Sequence, residues 1–343
     1  AFHFSMFDGH GGAQCSEFMT KYWSNRVVDV MNEHDAMESL SENYQNGENG
    51  KNGENSENGE GNGHHLVTNN GDNGDGSSTN SCNSDSASAM SHSEKEARQN
   101  ALLERMFLKL DKLFLKHQQK RLYSTSDVFS LPYTVGTTAN TVSISCTYEK
   151  KQKKTEENSE ENSEENSEEM VKKWKIVCCN IGDSRSILIH GGGSGSGGDD
   201  AENCVTELSR DQKPDNFIEF KRIVAAGGFV ESGRVVGELA VARALGDFYF
   251  KRFEHLDARS QMVIAVPEVF RTTVELSTSS KTEGGDVSPP AFILMASDGL
   301  WDVFTNEEAA MFVRERAANK EPIEDIVRDL CESALADRGS SDN

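Results

Sequence analysis

Apolar residues recur along this chain in two periods, and long stretches carry none. Phe2, Phe4 and Met6 alternate with His3 and Ser5, which predicts a strand over 2–7 with those three on one buried face. The strand stops at Asp8-Gly9-His10-Gly11-Gly12. From Ala13 to Met31 the period changes. Phe18, Tyr22, Trp23, Val27 and Val30 fall three and four apart and predict an amphipathic helix. Leu103, Met106, Phe107, Leu110, Leu113 and Phe114 predict a second one over 94–119. The run 133–139 leads into a strand at Thr141–Cys146, and Trp174–Ile181 and Ser186–Ile189 read as two more. Pro214 opens a helix over 216–226 that Gly227 and Gly228 close. Residues 233–247 have no clean period, with turns at Gly237 and Gly246. Val263–Val269 predicts a strand that Pro267 places near an edge or end. The unbroken apolar run Phe292–Ala296 predicts a strand buried on both faces. Thr305 and Glu308 form a capping box for a helix to about Asn319, and another runs from Pro322 to Asp337.

Three stretches interrupt these elements: 35–93, 150–171 and 191–203. They are built from Asn, Gly, Glu and Ser and cannot bury enough apolar surface to offset the entropy of ordering them. They are read as insertions into a single domain spanning 1–343, and 150–171 as a hairpin loop grown long. His64 and His65 are read as a solvated pair in the first of them. The formal net charge is −22, and the tracts 35–93 and 155–169 carry −17 of it. The remainder is only mildly acidic, and no basic stripe offsets phosphate repulsion, which argues against nucleic acid as a partner. Seven cysteines, with no C-x-x-C pair, suggest free thiols in a reducing compartment, hence an intracellular protein of cytoplasm or nucleus. No apolar run reaches the length of a membrane span, and no signal-peptide pattern is visible. The chain begins in mid-strand and ends in mid-motif, and is read as a fragment incomplete at both ends.

Asp8, Asp298 and Asp342 follow one grammar: each sits at a strand end or turn beside Gly, Ser or Asn. An Asp-Gly after a strand is by itself only a turn. Three carboxylates brought together repel and raise one another's pKa, and a divalent cation removes that penalty. Oxygen-only ligation suits Mg²⁺ or Mn²⁺ rather than zinc. Two such ions about 4 Å apart can clamp a phosphoryl group for in-line attack. Glycine at position 9 lets its carbonyl approach a cation, and His10 stands next to it as a proton donor. Arg185, Arg234 and Arg243 are read as structural partners of backbone or carboxylate.

The blocks Phe7-Asp8-Gly9-His10-Gly11-Gly12, Gly136-Thr137-Thr138-Ala139, Gly182-Asp183-Ser184-Arg185, Lys213-Pro214-Asp215, Ala225-Ala226-Gly227-Gly228, Arg243-Ala244-Leu245-Gly246-Asp247, Ser297-Asp298-Gly299-Leu300-Trp301-Asp302 and Ser341-Asp342-Asn343 follow one another in this order. In these the chain resembles the PPM-type metal-dependent serine/threonine phosphatases, the protein phosphatase 2C family. The resemblance implies an α+β fold: a four-layer α-β-β-α sandwich of two antiparallel sheets flanked by helix pairs. It implies a monomeric phosphoprotein phosphatase holding two Mg²⁺ or Mn²⁺ ions, whose bridging hydroxide attacks phosphorus directly. By the same likeness Asp8 bridges the ions, Gly9 lends its carbonyl, Asp298 and Asp342 complete the set, and His10 protonates the leaving oxygen. Asp183 and Asp302 resemble residues of a third, weaker metal position, and about 211–235 resembles a flap beside the active site. Two departures stand out. The family's phosphate-holding arginine and an acidic pair are expected upstream of Ala1, so the phosphate-binding residue is unknown. Val236 stands where asparagine is common. A phosphatase-like binding or regulatory protein with weakened catalysis is the alternative, and an acidic scaffold the third reading.

Overall fold

The computed structural model describes residues 1–23, 91–124, 134–150, 170–190, 204–276 and 291–340. Residues 1–23 and 100–340 belong to one compact unit; a second unit, 29–99, is described only from residue 91. The elements in order are β1 (Phe2–Met6), β2 (Gly9–His10), α1 (residues 14–23), α2 (His92–Ser124), β3 (Gly136–Thr137), β4 (Ala139–Lys150), β5 (Met170–Ile181), β6 (Arg185–Ile189) and β7 (Val205–Glu207). There follow α3 (Phe217–Ala225), β8 (Val230–Glu231), β9 (Arg234–Val235), β10 (Leu245–Gly246), a 3₁₀ turn (Phe248–Lys251), β11 (Glu268–Leu276), β12 (Phe292–Ala296), α4 (Asp298–Trp301), α5 (Asn306–Ala318), α6 (Ile323–Glu332) and a π-helical turn (Ser333–Asp337).

The strands form several antiparallel sheets: β1-β4-β5-β11, β12-β6-β7, β10-β3-β2 and the pair β8-β9. The first two face each other. Val142, Ile176 and Cys178 of one meet Leu188 of the other, with Ile293 and Met295 at the margin. Alternation then sends Ile187 and Ile189 to the opposite face of β6, where Trp301, Val313 and Leu330 from α4, α5 and α6, with Phe304 from the α4–α5 connection, cover them. Thr305 caps α5 by accepting from the Glu308 backbone N–H while Glu308 accepts from the Thr305 N–H, the box read from sequence. α1 and α2 meet through aromatic rings, Trp23 on Phe107 at 4.8 Å and Phe18 on Phe114 at 5.3 Å.

A buried polar seam crosses one end of the β4–β5 ladder. Asn140 and Asn180 stand directly opposite each other, both fully buried. Asn140 Nδ2 donates to Asn180 Oδ1 at 3.0 Å and is 3.1 Å from Ser209 Oγ. Asn140 Oδ1 accepts from the Ser186 hydroxyl, and Asn180 Nδ2 donates to the Arg210 carbonyl at 3.0 Å. Gln212 exchanges two bonds with Gly182, through its side-chain oxygen and its backbone N–H. Satisfied buried amides of this kind fix register.

Several expectations need correction. The Phe2/Phe4 face is exposed, at 61% and 52%, because β1 is an edge strand and nothing among the described residues covers it. β12 is likewise at an edge, so its five residues are half-buried rather than buried on both faces. The strand expected over 263–269 begins only after Pro267, at Glu268; Ile264 makes a single bridge to Arg243. The interruption at 150–171 is shorter than read, since Lys150 and Met170 form the last rung of the ladder. α2 outruns 94–119 at both ends and starts with its own capping box, Ser91 with Glu94. α3 begins at Phe217, past a turn at Pro214. β7 carried no signal of its own. The expected helix over 24–31, His64 and His65, and most of the three insertions lie outside the described residues. All six described cysteines are free thiols, and no described helix is long and apolar enough to cross a membrane.

Arg185, Arg234 and Arg243 are all structural partners. Arg185 grips Asp211 with two bonds of 2.8 and 2.7 Å, and Arg234 donates to the Glu238 carbonyl. Arg243 shares the buried carboxylate of Glu219 with Arg222. Burial alone would push the Glu219 carboxyl up; the two guanidiniums outweigh it and hold the group below the usual glutamate range. Glu219→Gln leaves two enclosed cations facing a neutral amide, an expected loss of about 3–5 kcal/mol in urea unfolding at pH 7. A depressed carboxyl contributes its stability above the unfolded pKa and loses it as pH falls through the folded one. The gap between variant and wild type therefore narrows as pH drops below about 4.

Candidate active site

The chain turns out of β1 at Asp8, and its backbone is fixed there. The Asp8 N–H donates to Thr138 Oγ1 at 3.2 Å, and its carbonyl accepts from Thr138 N at 2.9 Å and Thr137 Oγ1 at 2.8 Å. Gly9 and His10 then pair with Thr137 and Gly136, while Leu245 and Gly246 pair with the same two residues from the other side. β3 is thus a two-residue middle strand with His10 on one flank and the residues leading to Asp247 on the other.

Those flanks touch over the top of Gly136. His10 Nε2 lies 2.7 Å from Asp247 Oδ2. A Cβ on Gly136 would stand 2.0 Å from that oxygen and 2.5 Å from that nitrogen, so the contact exists because position 136 has no side chain. Asp247 is fully buried, adopts a left-handed backbone with φ 50°, and its Oδ1 has no hydrogen-bond partner among the described residues. Its N–H donates to Val135 O at 3.0 Å. One residue earlier, Gly246 N donates at 2.7 Å to Asp111 Oδ1 of α2, and the Asp111 carboxylate also takes Lys251 at 3.0 Å. The His10 side chain keeps 30% exposure. Burial would lower the pKa of the ring; Asp247, then Asp183 and Asp8, outweigh that and raise it above the ordinary histidine value.

Asp183 arrives from the turn after β5. Gly182 holds φ +100° there, and a Cβ would strike the Thr138 side chain at 2.6 Å. Burial pushes the Asp183 carboxyl up to about 6; Lys213 opposes this, while Asp211 and Asp8 add to it. Lys213 also pairs with Asp302 at 3.0 Å. Asp8, His10, Asp183, Lys213 and Asp302 therefore form one linked set of charges.

Asp298 opens α4 at the end of β12. Met6, two residues before Asp8, and Ser297, one before Asp298, line the same cavity of about 280 Å³, which puts both strand ends on one side of the molecule. Ser340 Oγ donates to Gly299 O at 2.7 Å, tethering the chain just ahead of Asp342 to the residue after Asp298. Asp342 itself lies outside the described residues. Among the described residues no three His, Cys, Asp or Glu side chains gather closely enough to hold a metal. The donors still fit a hard divalent ion: carboxylates, plus the carbonyl of a glycine so enclosed that a Cβ would meet Ser16 Oγ at 2.6 Å.

A family model described as protein phosphatase 2C matches residues 50–343, well over half of the chain. The chain belongs to the protein phosphatase 2C family. Residues 1–49, with Asp8 and His10, lie before that match. A probable protein phosphatase 2C of Caenorhabditis elegans is 38% identical over 170 residues, 49% of this chain and 40% of its own length. A protein phosphatase 2C homolog of Schizosaccharomyces pombe is 34% identical over 166 residues, 48% of this chain and 39% of its own. The chain thus spans about two fifths of these relatives. Two Toxoplasma gondii phosphatase structures share the fold over 99% of this chain. One has a TM-score of 0.54 at 20% identity and 81% coverage of that chain; the other, a serine-threonine phosphatase 2C, has 0.51 at 16% identity and 82% coverage.

Sequence reasoning missed Asp247 as a partner of His10, along with Gly136, Lys213 and the Asp111–Lys251 pair. The blocks holding His10 and Asp247 were visible; that these two residues close on each other across 237 positions was not. Gly136→Ala is expected to cost about 1–3 kcal/mol in urea unfolding, as overpacking does, and to separate His10 from Asp247 in a crystal structure of the variant.

Proposed function

We propose that this phosphatase 2C chain is the catalytic part of a metal-dependent protein serine/threonine phosphatase. The observation that carries the reading is the electrostatic linkage of the Asp8–His10 turn with Asp183, in a chain of this family. Phosphoproteins are the substrates, and the working unit is a monomer inside the cell, consistent with six free cysteines. The architecture is read as a four-layer α-β-β-α sandwich, with α1 and α2 as one outer layer and α5 and α6 as the other.

Asp8, the Gly9 carbonyl, Asp298 and Asp342 would hold two Mg²⁺ or Mn²⁺ ions, with Asp183 and Asp302 at a third position. Ions bound there supply charge neutralisation for the phosphoryl group and a water acidic enough to attack phosphorus directly at neutral pH. The protein's own part is orientation and proton delivery. Thr137 and Thr138 fix the backbone of Asp8, and His10, with its raised pKa, carries a proton for the leaving serine or threonine oxygen.

The full-length protein, assayed with Mn²⁺ on a phosphothreonine peptide, is expected to lose activity on chelation. Asp298→Ala should lower kcat by about a thousandfold or more, the several kcal/mol that such metal chemistry supplies. Turnover that survives both treatments refutes the metal-dependent reading.

A further inference from the structure

We infer that Asp247 is the positioning residue for His10: its Oδ2 engages ring Nε2, which leaves Nδ1 as the nitrogen that gives its proton to the leaving oxygen. The inference rests on the phosphatase reading above and assigns atoms within it.

Three observations carry it. His10 sits on a two-residue strand followed by Gly11 at φ +68° and Gly12 at φ +125°, so little in its own backbone restrains the ring. The Nε2···Oδ2 contact at 2.7 Å holds it instead. Asp247 is built to make that contact. It is a fully buried carboxylate, and one of its oxygens has no hydrogen-bond partner among the described residues. A carboxylate placed at such cost for one bond is placed for that bond. The surroundings enforce it: Gly136 clears the path, and the Asp111–Lys251 pair anchors the residue before Asp247.

The step balances. The attacking water yields one proton to solvent, and its oxygen bonds to phosphorus. The ester P–O bond breaks, and its electron pair stays on the serine or threonine oxygen. That oxygen takes the Nδ1 proton, and the alcohol departs. His10 becomes neutral, with Nε2–H still donating to the Asp247 carboxylate, and regains its Nδ1 proton from solvent.

The test separates proton delivery from general damage by leaving group. Nitrophenolate departs from p-nitrophenyl phosphate without a proton, whereas a threonine alkoxide does not. Wild type, Asp247→Asn, His10→Gln and the double variant of the full-length protein are compared with Mn²⁺ on that ester and on a phosphothreonine peptide. Asn tolerates left-handed backbone and keeps the shape. Asp247→Asn is expected to lower kcat on the peptide about 10- to 100-fold and on the aryl ester by less than about threefold. The double variant is expected to be no slower on the peptide than His10→Gln. Equal losses on both substrates, or multiplicative losses in the double variant, overturn the assignment while leaving the phosphatase reading standing. A wild type that hydrolyses neither ester overturns both. If Asp247→Asn does not fold, nitrogen-15 spectra of the wild-type His10 ring decide: an Nε2 that carries a hydrogen-bonded proton supports the assignment, and an Nε2 without one refutes it.

Discussion

Two asparagines facing each other inside the protein set the frame for everything else. Asn140 on β4 and Asn180 on β5 are fully buried, and their amides are met by each other, by Ser186, Ser209 and Arg210. Both amides sit on the face between the sheets, and a slip of one residue would turn one of them to the opposite face and strip both of these partners, at about 1–3 kcal/mol for each group left unmet. The register is thus over-determined at the end where chemistry is proposed. β1 inherits it by pairing with β4 and so delivers Asp8 opposite Thr138; β5 inherits it directly and delivers Asp183 one residue past Gly182.

Below that frame the site is assembled by an absence of atoms. The small sheet β10-β3-β2 has only two residues per strand, too few to be stable alone. It is held from outside, by the Asp111 carboxylate of α2 on one flank and by the backbone of Thr138 on the other. Gly136 then lets histidine and aspartate approach across it. Helix, strand and glycine each contribute something the other two lack: charge anchoring, direction and space.

Local chemistry was legible in the sequence, and long-range closure was not. The Thr305–Glu308 box, the β4–β5 hairpin and the structural arginines rest on residues whose neighbours are near in sequence or whose chemistry has one common use. Exposure failed where it depended on the rest of the fold: the alternation of Phe2 and Phe4 correctly implies a strand, but whether its apolar face is covered depends on what lies across it. The run 263–267 is buried like a strand yet pairs at one residue only, since burial and ladder pairing are separate facts. The site divided the same way. Motif spelling placed Asp8, His10 and Asp183 as candidates, while the His10–Asp247 contact came only from the pairing of both flanks with one glycine. Asp298 is positioned by β12, and Asp342 lies outside the described residues.

The β4–β5 ladder runs eleven steps from Ala139–Ile181 to Lys150–Met170, a length of about 35 Å at strand rise. The glutamate-rich tract enters and leaves the fold at the far rung. At physiological ionic strength that separation is about four Debye lengths. The fold has the geometry of an insulated handle: a charge at the far rung is screened from Asp183, whose potential is set by its immediate neighbours Lys213, Asp211 and Asp8.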